Sequence, residues 1–362
     1  CIRDSSKGLL WEIAAPTYVK YSLNTWYNLV DFADDPVLKK RIDMLLNVYW
    51  VDWAIEQLDG VRGGSRHRRS TGRASTEQSG GAEAAWFHFG IGVEASKHPG
   101  SICAATTFWR PDPVVVDLAL DDEARGEYAV VSRRPGLKES DELVNWIGDA
   151  SHPLHNRRGL NHLHPQGGSL LRYSWCTPDF VAGLSQVAPL AREAWCAGSA
   201  QNRWNGVIFA GHPTARIFTQ PLQPKKGSVY NAEWGVQNKG VMILQRLRAS
   251  NATGQRIWFD SSLKRVEKGE WIFAEAPQAY AAVRIARDGG EWEADSAEQR
   301  REGKGRNDVG EWLALNNEFS PIIIEVVRKK DFASFEAFQS QILANQFASK
   351  ENLVAYRSTF YD

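Results

Sequence analysis

Apolar positions recur at helical spacing over residues 35–58. Leu38, Ile42, Leu45, Leu46, Tyr49 and Trp53 fall on one face, and Val48, Val51 and Ile55 form a second strip. Asp35 supplies an N-cap oxygen, Pro36 suits the first helical position, and Gly60 follows the end. Two apolar strips predict a helix buried on two sides, as in a bundle or a toroid of helical hairpins. Residues 23–32 predict a shorter helix ahead of it, making a pair.

The pattern breaks after Gly60. Residues 62–81 are rich in Arg, Gly and Ser and predict a loop, while residues 83–89 fit a short helical turn. Residues 111–165 are mixed, with an apolar run over 114–120 and a Pro- and His-containing connection over 152–164. From Gly168 onward strand patterns dominate, over 169–175, 206–210, 215–219, 241–247, 257–260, 271–274, 280–285, 312–315 and 322–327. Short strands with no helices between them predict a sandwich of two large antiparallel sheets. A final helix over 334–345 places Phe335, Phe338, Ile342 and Leu343 on one face. The expected organisation is α+β and multidomain. A helical region with a basic loop (1–100) is followed by a connection (101–165) and a β-sandwich domain with a terminal helix (166–362).

Composition narrows the function classes. Lys plus Arg equals Asp plus Glu at 43 each, so global charge argues for neither nucleic acid nor a membrane surface. No apolar run approaches the ~18 residues of a membrane span. Fifteen Trp in 362 residues is a surplus. Such rings stack on the apolar faces of pyranoses, or fill large cores. The four cysteines are widely spaced without a CxxC pair, which disfavours a zinc site of that kind. Cys176 and Cys196 are expected either to form a disulfide or to stay as two buried thiols. Asn251-Ala252-Thr253 is a glycosylation sequon on an expected loop. With no initiator Met, the chain is expected to be a processed product or part of something longer.

Four constellations could carry chemistry. Glu12 and Tyr18, just ahead of the helical pair, could act as an acid/base couple. In β-elimination at a uronate, a base takes the C5 proton and an acid protonates the leaving oxygen. The plainer reading is a capping Thr17 among buried tyrosines. Arg62-Gly-Gly-Ser-Arg66-His67-Arg68-Arg69 offers guanidinium forks for carboxylates or sulfates, glycines that admit close backbone approach, and in His67 a base disposed to stay neutral. A solvated structural loop fits the same residues. His162 and His164 alternate on one side of a strand, with His152 and His155 nearby, but no carboxylate or cysteine at matching spacing completes a metal set. Asn202, Arg203 and Trp204 could grip a sugar ring or satisfy one another inside a sheet. No GxSxG, Walker loop or helix-opening GxGxxG occurs, and no cofactor or metal is expected.

Two stretches together resemble the heparinase II/III-like polysaccharide lyases. One runs from Pro16-Thr-Tyr18 through the helical pair to Gly63-Gly-Ser-Arg66. The other holds Tyr173-Ser-Trp175-Cys-Thr-Pro178-Asp179, Gln201-Asn-Arg-Trp204 and Lys268-Gly-Glu-Trp271-Ile-Phe273, closing with Phe319-Ser-Pro-Ile-Ile-Ile-Glu325 and Ser334-Phe-Glu-Ala-Phe338. The resemblance implies an (α/α) toroid against a β-sandwich with a glycan cleft between them. It implies Tyr18 as acid/base, His67 or His162 as its partner, and Arg62 and Arg66 as carboxylate binders. Only the end of a toroid is visible, so a missing N-terminal segment or a partner chain is expected to supply the rest. The expected function is cleavage of an acidic, uronate-containing glycan by β-elimination, in an extracellular or periplasmic protein. The alternatives are a glycoside hydrolase, for which Glu12 is half of the needed carboxylate pair, and a non-catalytic glycan-binding or assembly protein.

Overall fold

A computed structural model describes residues 16–65, 81–92, 102–134, 170–187, 204–222, 233–248, 252–295, 309–350 and 353–361. Their architecture is mixed α+β, with a helical unit that meets a large antiparallel sandwich through the hairpin after its second helix.

The helical unit begins with α1 (Pro16–Phe32) and α2 (Pro36–Ala54). Asp35 caps α2 as expected, its Oδ1 accepting from Val37 N at 2.8 Å and Leu38 N at 3.3 Å. Only one face of α2 is buried, by Ile42, Leu46, Tyr49, Trp50, Trp53 and Ala54. The expected second strip is overturned at Val48, which is 52% exposed, with Met44 beside it at 58%. The helix also stops four residues early. Asp59 and Gly60, at φ 50° and 81°, form the two-residue turn of a hairpin. In it β1 (Gln57–Leu58) pairs with β2 (Val61–Arg62). Asp-Gly favours that left-handed turn strongly enough to override helical continuation. The carbonyls left over at the end of α2 are satisfied by side chains. Arg125 donates to Ala54 O and Gln57 O, and Tyr128 Oη to Ile55 O at 2.6 Å.

Helices α3 (Ala82–Phe89), α4 (Ile102–Thr106), α5 (Pro113–Leu120) and α6 (Asp122–Arg125) complete the unit. The apolar sides of α3, α4 and α5 join a core with Leu23, Trp26, Tyr27, Trp50 and Trp53.

The sandwich contains an eight-stranded and a six-stranded sheet, in which every pairing is antiparallel. The larger runs β14 (Gly290–Ala294), β15 (Gly310–Leu315), β10 (Gln255–Asp260), β7 (Arg216–Pro221), β6 (Asn205–Phe209), β5 (Phe180–Val187), β4 (Leu170–Cys176) and β3 (Tyr128–Arg134). Thus β3, from the segment expected to be a connection, is an edge strand. The smaller runs β11 (Lys264–Lys268), β12 (Trp271–Glu275), β13 (Ala279–Ile285), β16 (Ile322–Arg328), β9 (Val241–Arg246) and β8 (Glu233–Asn238). Between the sheets lies an apolar core that includes Phe180, Leu184, Phe209, Ile217, Ile257, Phe259, Leu313 and Ile324. Strand alternation puts Val181, Ile208, Phe218, Trp258 and Trp312 on the outer face of the larger sheet, and Leu58 and Val61 of the hairpin pack there.

The other outer face, on β12, β13 and β16, is covered by α7 (Phe335–Ala344) and the hairpin β17 (Gln346–Lys350) and β18 (Leu353–Arg357). Ser334 caps α7, accepting from Ala337 N. Phe335, Phe338 and Ile342 are buried as expected, but Leu343 is exposed. It lies eight positions from Phe335, at the edge of the stripe.

Candidate functional site

The hairpin after α2 brings the Gly-Gly-Ser motif onto the larger sheet. Gly64 has φ +74°, and a Cβ there would lie 2.4 Å from Glu56 Oε1. A Cβ on Gly183 of β5 would lie 2.7 Å from Gly64 Cα, and one on Gly63 would lie 2.7 Å from Val181 Cβ. These glycines therefore permit close approach of chain to sheet.

At that contact Glu56 is fully buried. Its Oε2 accepts from Arg62 Nη2 at 3.0 Å and Arg172 Nη2 at 2.6 Å, and its Oε1 from Ser174 Oγ at 2.7 Å. Burial alone would raise the Glu56 pKa, but the two guanidinium charges and the hydroxyl bring it down to about 2. Burial opposes the charge on Arg62, and Asp52 and Glu56 outweigh it, raising that pKa. The polar chain continues from Arg172 Nε to Ser65 O (3.2 Å), from Ser65 Oγ to Asn205 Oδ1 (3.2 Å), and from Asn205 Nδ2 to Glu233 Oε2 (2.8 Å). Arg62, expected to bind a substrate carboxylate, is thus held by Asp52 at 2.5 Å and by Glu56.

Trp204 immediately precedes β6 and is fully buried. It begins an aromatic row, 5.8 Å from Phe218, which meets Trp258 and Trp312. Cys176 is a free, buried thiol whose pKa burial pushes up, and Cys196 lies outside the described residues. Also outside them are Glu12, Arg66, His67, Asn202, Arg203, His152, His155, His162, His164 and Asn251. Tyr18 lies in the first turns of α1, and nothing of its side chain is described. Two residues on, Lys20 pairs with Glu83 of α3 at 3.4 Å.

A second centre lies inside the helical unit, at residues the sequence pattern did not single out. Tyr27 Oη is 2.7 Å from His88 Nε2. Trp50 Nε1, which can only donate, lies 3.1 Å from the same hydroxyl. A hydroxyl oxygen can accept twice, so His88 Nε2–H can donate to Tyr27 Oη beside Trp50, and in that tautomer the imidazole lone pair lies on Nδ1. The imidazole meets Trp50 and Trp109 edge-on, each ring centroid 5.3 Å away, and Asp43 holds the Trp109 indole at 2.7 Å. His88 is half-buried. Burial, reinforced by the Arg110 charge, lowers its pKa to about 4, so the ring is neutral at ordinary pH. Burial also raises the Tyr27 pKa well above its ordinary value, against the opposing Trp50 hydrogen bond. Arg110 is exposed and anchored through Nη1, which donates to Thr107 O and Trp109 O at 2.7 Å each.

The group combines a neutral base, a hydroxyl that orients it and an exposed guanidinium. Together they could take a proton from a carbon whose neighbouring carboxylate is bound by Arg110. Among the described residues no three His, Cys, Asp or Glu form a metal-holding group, and no helix is long and apolar enough to cross a membrane. No family model, curated protein or solved structure matches the chain.

Proposed function

We propose that the protein is carbohydrate-active, a polysaccharide lyase that cleaves a uronate-containing glycan by β-elimination. Its helical unit is proposed as the end of an (α/α) toroid, and its setting as extracellular or periplasmic. The observation that carries the reading is the neutral, half-buried His88, held by Tyr27 with Arg110 nearby. In this scheme Arg110 neutralises the uronate carboxylate and His88, with its Nε2–H on Tyr27 Oη, removes the C5 proton through Nδ1. The C5–H electrons form the C4–C5 double bond as the C4–O bond breaks, the departing oxygen takes a proton from water, and the imidazolium returns its proton to solvent. Tyr27 is too buried to meet substrate and acts as a positioning residue for His88. The resemblance quoted above agrees with a glycan substrate, whereas most described Trp side chains fill the cores.

Digestion of pectic, alginate and glycosaminoglycan panels in heavy-oxygen water, read by mass spectrometry, tests the proposal. A lyase yields unsaturated products free of solvent oxygen. Products carrying the heavy oxygen would identify a hydrolase. Binding without cleavage would favour the glycan-binding or assembly reading, which gains support from Arg62 being engaged within the chain.

A further inference from the structure

The C-terminal cap, consisting of α7, Asn345, β17, β18 and residues 358–361, brings three of its polar side chains onto one carboxyl of the smaller sheet. Glu325 of β16 is 1% exposed. It accepts from Tyr356 Oη, from Ser358 Oγ at 2.7 Å and from Asn345 Nδ2 at 3.4 Å. Every one of these donors is neutral and belongs to the cap. No Lys or Arg among the described residues forms an ion pair with Glu325, unlike Glu56.

None of the described groups around Glu325 forms an ion pair with it. Its ladder neighbours are Ala282 on β13 and Val241 on β9. The buried side of α7 offers Phe335, Phe338, Gln339 and Ile342. On β13, Arg284 is bonded to Glu270 and lies 3.6 Å from the Phe347 ring of β17, while Tyr280 stacks on Phe335 and Phe338. Tyr361 donates to Val326 O at 2.5 Å, and Lys239 lies 6.0 Å from the Tyr361 ring. Arg328, further along β16, is engaged by Asp179 and Glu127.

We propose that Glu325 is a pH-responsive latch for the cap, closed while its carboxyl is protonated and loosened when it ionises. A buried carboxylate with neutral donors and no counter-ion is disfavoured, whereas the neutral acid can share its proton with the same hydroxyls. Burial accordingly raises the Glu325 pKa, against the Tyr356 and Ser358 hydrogen bonds. The closed cap therefore binds this proton more tightly than the open one. The latch contributes fully below the ordinary carboxylate pKa and is lost as pH rises through the raised value. The pKa values of Tyr356 and Tyr361 are themselves raised by burial, so both phenols stay protonated across that window. Release of the cap would bare Phe273, Tyr280 and Ile323.

Hydrogen exchange of residues 335–361 in the full chain, compared with Glu325→Gln from about pH 4 to about pH 8, tests the latch. The wild-type to variant ratio of exchange rates cancels the intrinsic pH dependence. It should climb with pH, by up to about tenfold per unit for a single proton, and then level off. A flat or falling ratio would overturn the proposal. Should Glu325→Gln not fold, Tyr356→Phe serves instead. Removing that donor should move the rise in exchange to higher pH, and an unmoved profile would overturn the latch.

Discussion

Glu56 Oε2 lies 2.6 Å from Arg172 Nη2, joining residues 116 positions apart in the chain. The bond crosses from the end of the helical unit to the larger sheet, and both side chains are out of water. Glu56→Gln would leave two buried guanidinium groups without their shared carboxylate. A loss of about 3–5 kcal/mol is expected, measured by denaturant unfolding.

Acid should act through the same carboxylate. The folded protein holds Glu56 at about 2, against about 4.3 in an unfolded chain. Its contribution is present above the unfolded value and is lost as pH falls toward about 2. Acid unfolding followed by circular dichroism should therefore be less steep in Glu56→Gln than in the wild type.

Gly64→Ala is expected to destabilise the junction by more than about 1 kcal/mol, since the positive φ is incompatible with a Cβ. The new methyl would also meet Glu56 Oε1 and Ser174 Oγ. Gly90→Ala is the control, because it shares a positive φ but its Cβ would meet nothing within 4 Å. A thermal shift larger for Gly64→Ala than for Gly90→Ala would isolate the contact.

Cys176 should resist alkylation in the folded protein, since the thiolate is the reactive form and burial disfavours it. The half-buried Cys103 should label before Cys176. Peptide mapping after timed alkylation reads the order, and rapid labelling of Cys176 would contradict the buried contact with the hairpin.

The elements that were legible in the sequence are those whose own periodicity decides them. Asp35 and Pro36 start α2, Ser334 starts α7, and runs such as 322–327 became strands. Strands with charged or interrupted patterns were not legible: β11 is Lys-Arg-Val-Glu-Lys, and β14 opens with Gly290. Both are edge strands whose pairing comes from tertiary partners. The two-sided burial expected for α2 failed because periodicity marks apolar strips without saying whether a neighbour covers them. Glu56 did leave a trace, three positions beyond Trp53 on the buried stripe, where an acid requires a cation. Arg172, Tyr27 and His88 left none, because their association depends on how distant elements pack.

The central claim is tested most directly by the pH dependence of glycan cleavage in the wild type, Tyr27→Phe and His88→Gln. With His88 as a base of pKa about 4, kcat/KM should rise through that pH and stay level above it. His88→Gln should lose about 10²–10⁴-fold in activity. Tyr27→Phe should keep part of the rate with a displaced inflection. Unsaturated product formed at wild-type rates by His88→Gln would contradict the assignment.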